Sequence, residues 1–440
     1  MQKGEYLLKE ERIGKAVWKL MLPAVLTSLI SMIYNFTDTF FIGLLRNTDQ
    51  LSALSLAMPL MWLFGTLPGL ISAGAGQVIS LKLGAGDKTG AKQVASFSVF
   101  GTLLLGLLST AVSLPLMRPC LKLMGAQGAV LEYAAQYLGV IALGHVFAAG
   151  GAMLGVQRAL GRANTASIGN VIGIVVNIAL DPLFIFAFDM GVTGAALATV
   201  LGSASSMVFG MIVSKGYLSV RNVIPDKKTV KKVFGLSLSS TATSLVSSLI
   251  LTVTFSMATG FGNETVAAIS VASKLYSFIV SLVSAMCFSL QPFAGYNYAA
   301  DNRPRLRKGL LLSLGAGTAV CLAGMLLFLF AGGPYMRLFT EDPVVIGAGE
   351  KIIRYFAVSA PILALNMTAM MLLSATGKAM RSLIAGMSRQ VLIFVPLMIV
   401  LRRFLGMDGL ILAFPISDIL AAILACAMCA GDVRRIFGIK

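Results

Sequence analysis

Two aspartates, Asp38 in YNFTDTFFIG and Asp181 in NIALDPLFIF, stand inside long apolar stretches. An ionised side chain in hydrocarbon is costly and by default marks a functional site. Asp38 lies seven residues before Leu45 and Asp181 seven before Phe188, the ends of their apolar runs. At helical rise each carboxylate is about 10 Å below the same boundary. Thr199, eight residues into a returning run, falls at nearly that level, and Asn177 sits one turn from Asp181 on the same face. Tyr34 stands in the same relation to Asp38. Two carboxylates, an amide oxygen and a hydroxyl at one depth are hard oxygen ligands suited to a small cation such as Na+. Crowding two carboxylates also raises the pKa of one, so the same cluster can take up H+. Pro182 lacks an N–H, which frees the carbonyl of Ile178 as a further acceptor. The competing reading is that these groups only tie neighbouring helices together.

The elements that must hold these residues follow from composition. The chain is 57% apolar and 12% charged, with mean hydropathy +0.87 over 440 residues, which excludes a water-soluble globule. Its 45 glycines suit helices packed closely in lipid. The net charge of +17 is carried by short segments between apolar runs, with no nucleic-acid reading motif, so no nucleic-acid partner is expected. Apolar runs long enough to span a bilayer recur at 17–45, 51–81, 95–117, 131–157, 164–188, 191–214, 234–261, 265–298, 309–331, 352–375, 382–401 and 407–430. An all-α integral membrane protein of twelve transmembrane helices is expected. The first run is read as an uncleaved span.

Charge orients these spans. The two termini and every second connection carry 24 Lys and Arg, the intervening connections 6. The excess stays inside, so both termini are expected in the cytoplasm, with the chain multi-pass in the cell membrane. The longest basic connection splits the chain into similar halves. SALSLAMPL at 52–60 aligns with AAISVASKL at 267–275, LGAGD at 83–87 with NYAAD at 297–301, and GVTGAALA at 191–198 with GMDGLILA at 406–413. The order is kept and the offset stays at 214–215 residues. The expected organisation is a tail at 1–16, an N-lobe at 17–214, a basic linker at 215–233, a C-lobe at 234–430 and a tail at 431–440. Two pseudo-symmetric six-helix lobes of equal orientation enclose a cavity suited to alternating access.

In the second half Lys274, Arg389 and Asp418 lie in apolar surroundings. Mutual pairing would satisfy them, because a buried unpaired charge is expensive; holding substrate or linking lobe movement is the alternative. His145 is the only histidine, read as a packing or hydrogen-bonded residue. Cys426 and Cys429 have metal-knuckle spacing but no second ligand pair, and the five cysteines are read as inert.

Across nearly its full length the chain resembles the multidrug and toxic compound extrusion (MATE) transporters. The resemblance rests on LPAVLTSLISMIYNFTDTFFIG (22–43), VISLKLGAGD (78–87), RALGRANT (158–165), NIALDPLFIF (177–186), GVTGAALAT (191–199) and AFPISD (413–418). It implies two six-helix lobes in a V shape and antiport of organic cations against sodium or protons. It also implies an N-lobe cation site in which Asp38, Asn177, Asp181 and Thr199 couple the ion and Tyr34 supports them. The second half departs from the first, since Val253 stands where the repeat would place Asp38 and an apolar stretch near Leu397 where it would place Asp181. Glu264, the nearest acidic C-lobe candidate, reads as a solvated loop carboxylate.

The function expected is secondary active efflux of small organic, often cationic, drugs by a monomer in the lipid bilayer, with Na+ or H+ as coupling ion and no cofactor. No phosphate-binding loop is present for ATP hydrolysis, and the scattered nucleophiles make an enzyme remote. The rival is a flippase for lipid-linked sugars or peptidoglycan precursor, in which Lys274 and Arg389 would meet pyrophosphate.

Overall fold

The computed structural model describes residues 2–44, 47–219 and 223–438; within these, the side chain of Asp38 falls outside the described residues. All regular structure among the described residues is helical. A short helix α1 (Gln2–Lys9) precedes α2 (Ile13–Leu44), α3 (Thr48–Gly65), α4 (Gly69–Gly84), α5 (Lys88–Leu123), α6 (Gly128–Gly144), α7 (Ala148–Ala159), α8 (Ala163–Pro182) and α9 (Gly191–Ser214). Then come α10 (Lys227–Ala258), α11 (Asn263–Ser289), α12 (Gln291–Ala299), α13 (Arg303–Arg337), α14 (Pro343–Ala375), α15 (Ala379–Met387) and α16 (Phe394–Phe437).

Among the described residues nine helical stretches are long and apolar enough to cross a membrane, ten when α3 and α4, bent by 48°, count as one span. The stretch Ala379–Phe437, 59 residues, is long enough at about 1.5 Å per residue to cross twice. Gly406 breaks it, with φ 59 and ψ −131. With α10 these make twelve crossings. Their surface is apolar, with Leu104, Ile212, Phe330 and Phe404 all more than 60% exposed, the inverse of a protein folded against water. The chain is a multi-pass helical membrane protein.

Two compact units are formed, one from Met1–Leu7 and Leu26–Thr241, the other from Leu8–Val25 and Ala242–Lys440. The basic connection at 215–233 lies inside the first. The start of α10 is held there by Ser237, whose Oγ accepts the Gly74 N–H at 2.7 Å and donates to the Ile71 carbonyl at 3.1 Å. In the second unit the Leu8 carbonyl accepts from Asn297 Nδ2 at 3.1 Å and Arg305 Nε at 3.0 Å. Each unit has its own core. Ala57, Leu60, Phe64, Leu138 and Ile185 pack in the first, and Ile279, Phe328, Ile352, Phe356 and Phe394 in the second.

The repeat read from the sequence is written into the backbone. Gly191 and Gly406, aligned by it, both take positive φ, 54 and 59, at the starts of corresponding spans. Asp87 caps α5 through the Gly90 N–H at 2.7 Å, and Asn302 caps α13 through the Arg305 N–H at 3.3 Å. Residues just before these caps, Gly86 (φ 80) and Asp301 (φ 51), make the same left-handed turn. Asp301 does so with a side chain, as acidic and amide residues tolerate better than most.

Candidate functional site: a buried polar cluster between two helices of the first unit

The contact of α8 with α9 rests on two glycines. A Cβ at Gly202 would lie 2.5 Å from the Gly173 carbonyl oxygen and 3.1 Å from the Asn177 Cβ, so only glycine allows the backbones this approach. That closeness brings Asn177 Nδ2 to 3.2 Å from Thr199 Oγ1. The Thr199 hydroxyl donates to the Ala195 carbonyl at 3.0 Å. Its single proton is thereby committed, so it accepts from Asn177 and keeps one lone pair free. Asn177 is 3% exposed, and its Oδ1 has no hydrogen-bond partner among the described residues. One turn on, Asp181 is fully buried. Pro182 then ends α8, and the chain continues as a π turn, Leu183–Ala187. A prolyl nitrogen cannot close the α-helical bond to Ile178, and π turns are common where the ladder is interrupted at functional sites.

Tyr34, Asn177 and Thr199 line one cavity of about 160 Å³, together with Asn170, Ser203 and Ser206. The structure thus brings together Tyr34, Asn177 and Thr199, with Asp181 buried a turn away. Asp38 occupies a helical position one turn beyond Tyr34 in α2, its side chain outside the described residues. The oxygen set available, a buried carboxylate, an amide oxygen and a hydroxyl lone pair, fits a hard cation or a proton. Asn170, Ser203 and Ser206 were not singled out from sequence. Periodicity held the signal, since Asn170 is two turns before Asn177 and Ser203 one turn after Thr199.

In the second unit Arg389 and Asp418 pair, and Lys274 stands apart. Arg389 Nε donates to Asp418 Oδ1 at 2.7 Å, Arg389 Nη2 to the Tyr276 hydroxyl at 3.1 Å, and that hydroxyl to Asp418 Oδ2 at 2.5 Å. The triangle is closed, with Asp418 3% exposed, and Arg389 rides on a second π turn, Ser388–Leu392. Lys274 does not join it. It is exposed and lies 5.8 Å from the centre of the Phe339 ring, because it projects from a different face of α11 than Tyr276 two residues on. Tyr276 was the partner missed from sequence, where an aromatic in an apolar run reads as filler. Glu264 sits exposed in the first turn of α11.

His145 bonds as a structural residue would. Pro68 offers no N–H to the Phe64 carbonyl at the break between α3 and α4. Ser109 Oγ donates to that carbonyl at 2.8 Å, and His145 Nδ1 lies 2.9 Å from Ser109 Oγ. With the hydroxyl proton committed to Phe64, Nδ1 carries the imidazole proton. The cysteines are free thiols, and no group of potential metal-holding side chains occurs among the described residues.

The family model MatE matches twice, over residues 23–183 and 240–400. The chain belongs to the MatE family. The two matches are the two halves of the internal repeat. Relatives include the multidrug export protein MepA of Staphylococcus aureus (strain NCTC 8325 / PS 47), 28% identical over 96% of this chain and 94% of the relative. MepA of Staphylococcus haemolyticus (strain JCSC1435) matches at the same identity and coverage. Among solved MatE-type structures, a multidrug resistance MATE family transporter in an outward-facing conformation superposes with TM-score 0.91 at 26% identity, covering 98% of both chains. A MOP superfamily transporter from Pyrococcus furiosus, described as having a binding pocket of reversed polarity, superposes with TM-score 0.90 at 25% identity over 98% of both.

Proposed function

We propose that this protein is a secondary active multidrug efflux transporter that exports small organic, often cationic, compounds in exchange for Na+ or H+ bound at Asp38, Asn177, Asp181 and Thr199. The observation that carries the reading is the Asn177–Thr199 contact at a cavity wall, with Asp181 buried one helical turn on. Its MatE membership and the multidrug export relatives support the same conclusion. Asp181, 0% exposed, is out of bulk water, where the attraction between a carboxylate and a bound cation or proton is only weakly screened. Binding a cation or a proton there changes the charge of the site, so the loaded and empty clusters favour different surroundings. Antiport follows when the exported molecule prefers the opposite arrangement, and the coupling equals the differential affinity. The weakened helix at Pro182 and Tyr34 at the cavity wall are the parts placed to respond. Both termini are assigned to the cytoplasm, and the lobes to 17–214 and 234–430, on the charge bias and the repeat.

A precursor flippase is less well supported. It would need paired cations for pyrophosphate, and Arg389 is already committed to Asp418 and Tyr276. The test is dye efflux from proteoliposomes under an imposed sodium gradient or an imposed pH gradient. Asp38→Asn and Asp181→Asn are expected to insert at normal levels and to lose gradient-driven efflux. Full uphill pumping by both variants would sink the coupling site.

A further inference from the structure

Lys274 is left outside the charge triangle, and its surroundings are those of a lipid site. Beside it, between α11 and α13, runs a groove of about 300 Å³ lined by Leu275, Leu327, Ala331, Pro334, Tyr335 and Leu338. The one hydroxyl on this lining, that of Tyr335, is donated to the Val271 carbonyl at 3.3 Å, so the groove presents only carbon. It is apolar and open, with Leu327 41% and Leu338 81% exposed. In a membrane-spanning chain such a surface meets acyl chains.

The charge stands at one end of this groove. Lys274 Nζ is 5.8 Å from the ring of Phe339, two residues past the last turn of α13 at Arg337. The ammonium is therefore close to the C-terminal end of α13, although Lys274 itself is eleven residues into α11, the arrangement of a membrane lysine that reaches toward a helix end. No carboxylate pairs with Lys274 among the described residues; the cation–π contact is its one specific interaction there.

A cation without a carboxylate partner among the described residues, at the end of a spanning helix and beside an apolar groove, complements one kind of molecule. We infer that this groove holds a single anionic phospholipid of that leaflet, its phosphate on Lys274 and one acyl chain along Leu275, Ala331 and Pro334. The groove, about 300 Å³, takes part of one chain. Hydrocarbon contact gives little preference, since bulk lipid tails are as apolar as the groove. Selectivity therefore resides in the headgroup and in Lys274. Under the topology proposed above the leaflet is the outer one.

The test is native mass spectrometry of the full-length protein released from nanodiscs with equal phosphatidylglycerol and phosphatidylethanolamine. Wild type is expected to retain one phospholipid with a preference for phosphatidylglycerol. Lys274→Gln is expected to reduce that preference about fivefold, the scale of one basic residue at an anionic surface. Ala331→Trp, which fills the groove, is expected to remove the retained lipid while the helical circular-dichroism signal is kept. Added inorganic phosphate is expected to leave retention unchanged. Displacement by phosphate alone would make this a free-anion site and overturn the inference, as would retention and preference unaltered in both variants.

Discussion

Thr199→Val separates sodium coupling from proton coupling, because it exchanges a hydroxyl for a methyl of nearly the same shape. In the structure Thr199 Oγ1 accepts from Asn177 at 3.2 Å and donates to Ala195 at 3.0 Å. Valine leaves the Asn177 amide without its partner between two closely packed helices, a loss of about 1–2 kcal/mol for a buried donor. It also removes the lone pair left for a cation. If that oxygen contributes as much as an ordinary hydrogen bond, about 1.4 kcal/mol, sodium affinity falls about tenfold. A proton needs only the carboxylates and is indifferent to this oxygen. The assay is initial dye efflux from proteoliposomes at graded sodium, with Thr199→Ser as the control that keeps the oxygen. Under sodium coupling, valine raises half-saturation about tenfold while serine stays within about twofold. Under proton coupling, both variants respond to the pH gradient like wild type. Sodium-driven efflux with unchanged half-saturation in the valine variant would refute Thr199 as a ligand.

Arg389→Met leaves Asp418 charged and buried beside Tyr276, which should cost about 3–5 kcal/mol and lower yield and melting temperature, whereas Arg389→Met with Asp418→Leu should recover most of the loss; equal stability of single and double variants would contradict the pairing. Ser109→Ala should destabilise by about 1 kcal/mol, because the buried His145 Nδ1–H loses its acceptor while the Phe64 carbonyl keeps its bond from the Leu67 N–H at 3.3 Å, and an unchanged thermal midpoint would show that the Ser109 bonds do not matter. A cysteine introduced at Asn222, in the basic connection outside the described residues, should be protected from an impermeant thiol reagent added outside intact cells; labelling there would invert the topology.

Much was legible in the sequence because a bilayer imposes simple rules. Backbone polar groups must be satisfied within each span, so apolar runs of the right length declare helices, and the breaks at Gly191 and Gly406 are visible as a repeated motif. Depth was legible too, since helical rise converts residue number into distance. Residue counting alone puts Asn177 and Thr199 on one level, and in the structure they meet at 3.2 Å. Direction around a helix axis was harder. Lys274 and Arg389 both looked like buried charges in need of Asp418, but the 3.6-residue period turns Lys274 to the surface and Tyr276, two residues later, toward the carboxylate. The partners of Ser109 and His145 lay equally beyond reach. Pro68 removes one backbone donor near Phe64, but which hydroxyl on another helix adds a bond there depends on how that helix is rotated and how closely it packs. Sequence by itself determined the class of molecule, the number of spans and the polar layer, because those follow from the chain's own period and its cost in hydrocarbon. Only the tertiary structure decided which polar atoms meet, because a hydrogen bond tolerates errors of tenths of an ångström and the packing of small residues such as Gly173 against Gly202 sets those distances.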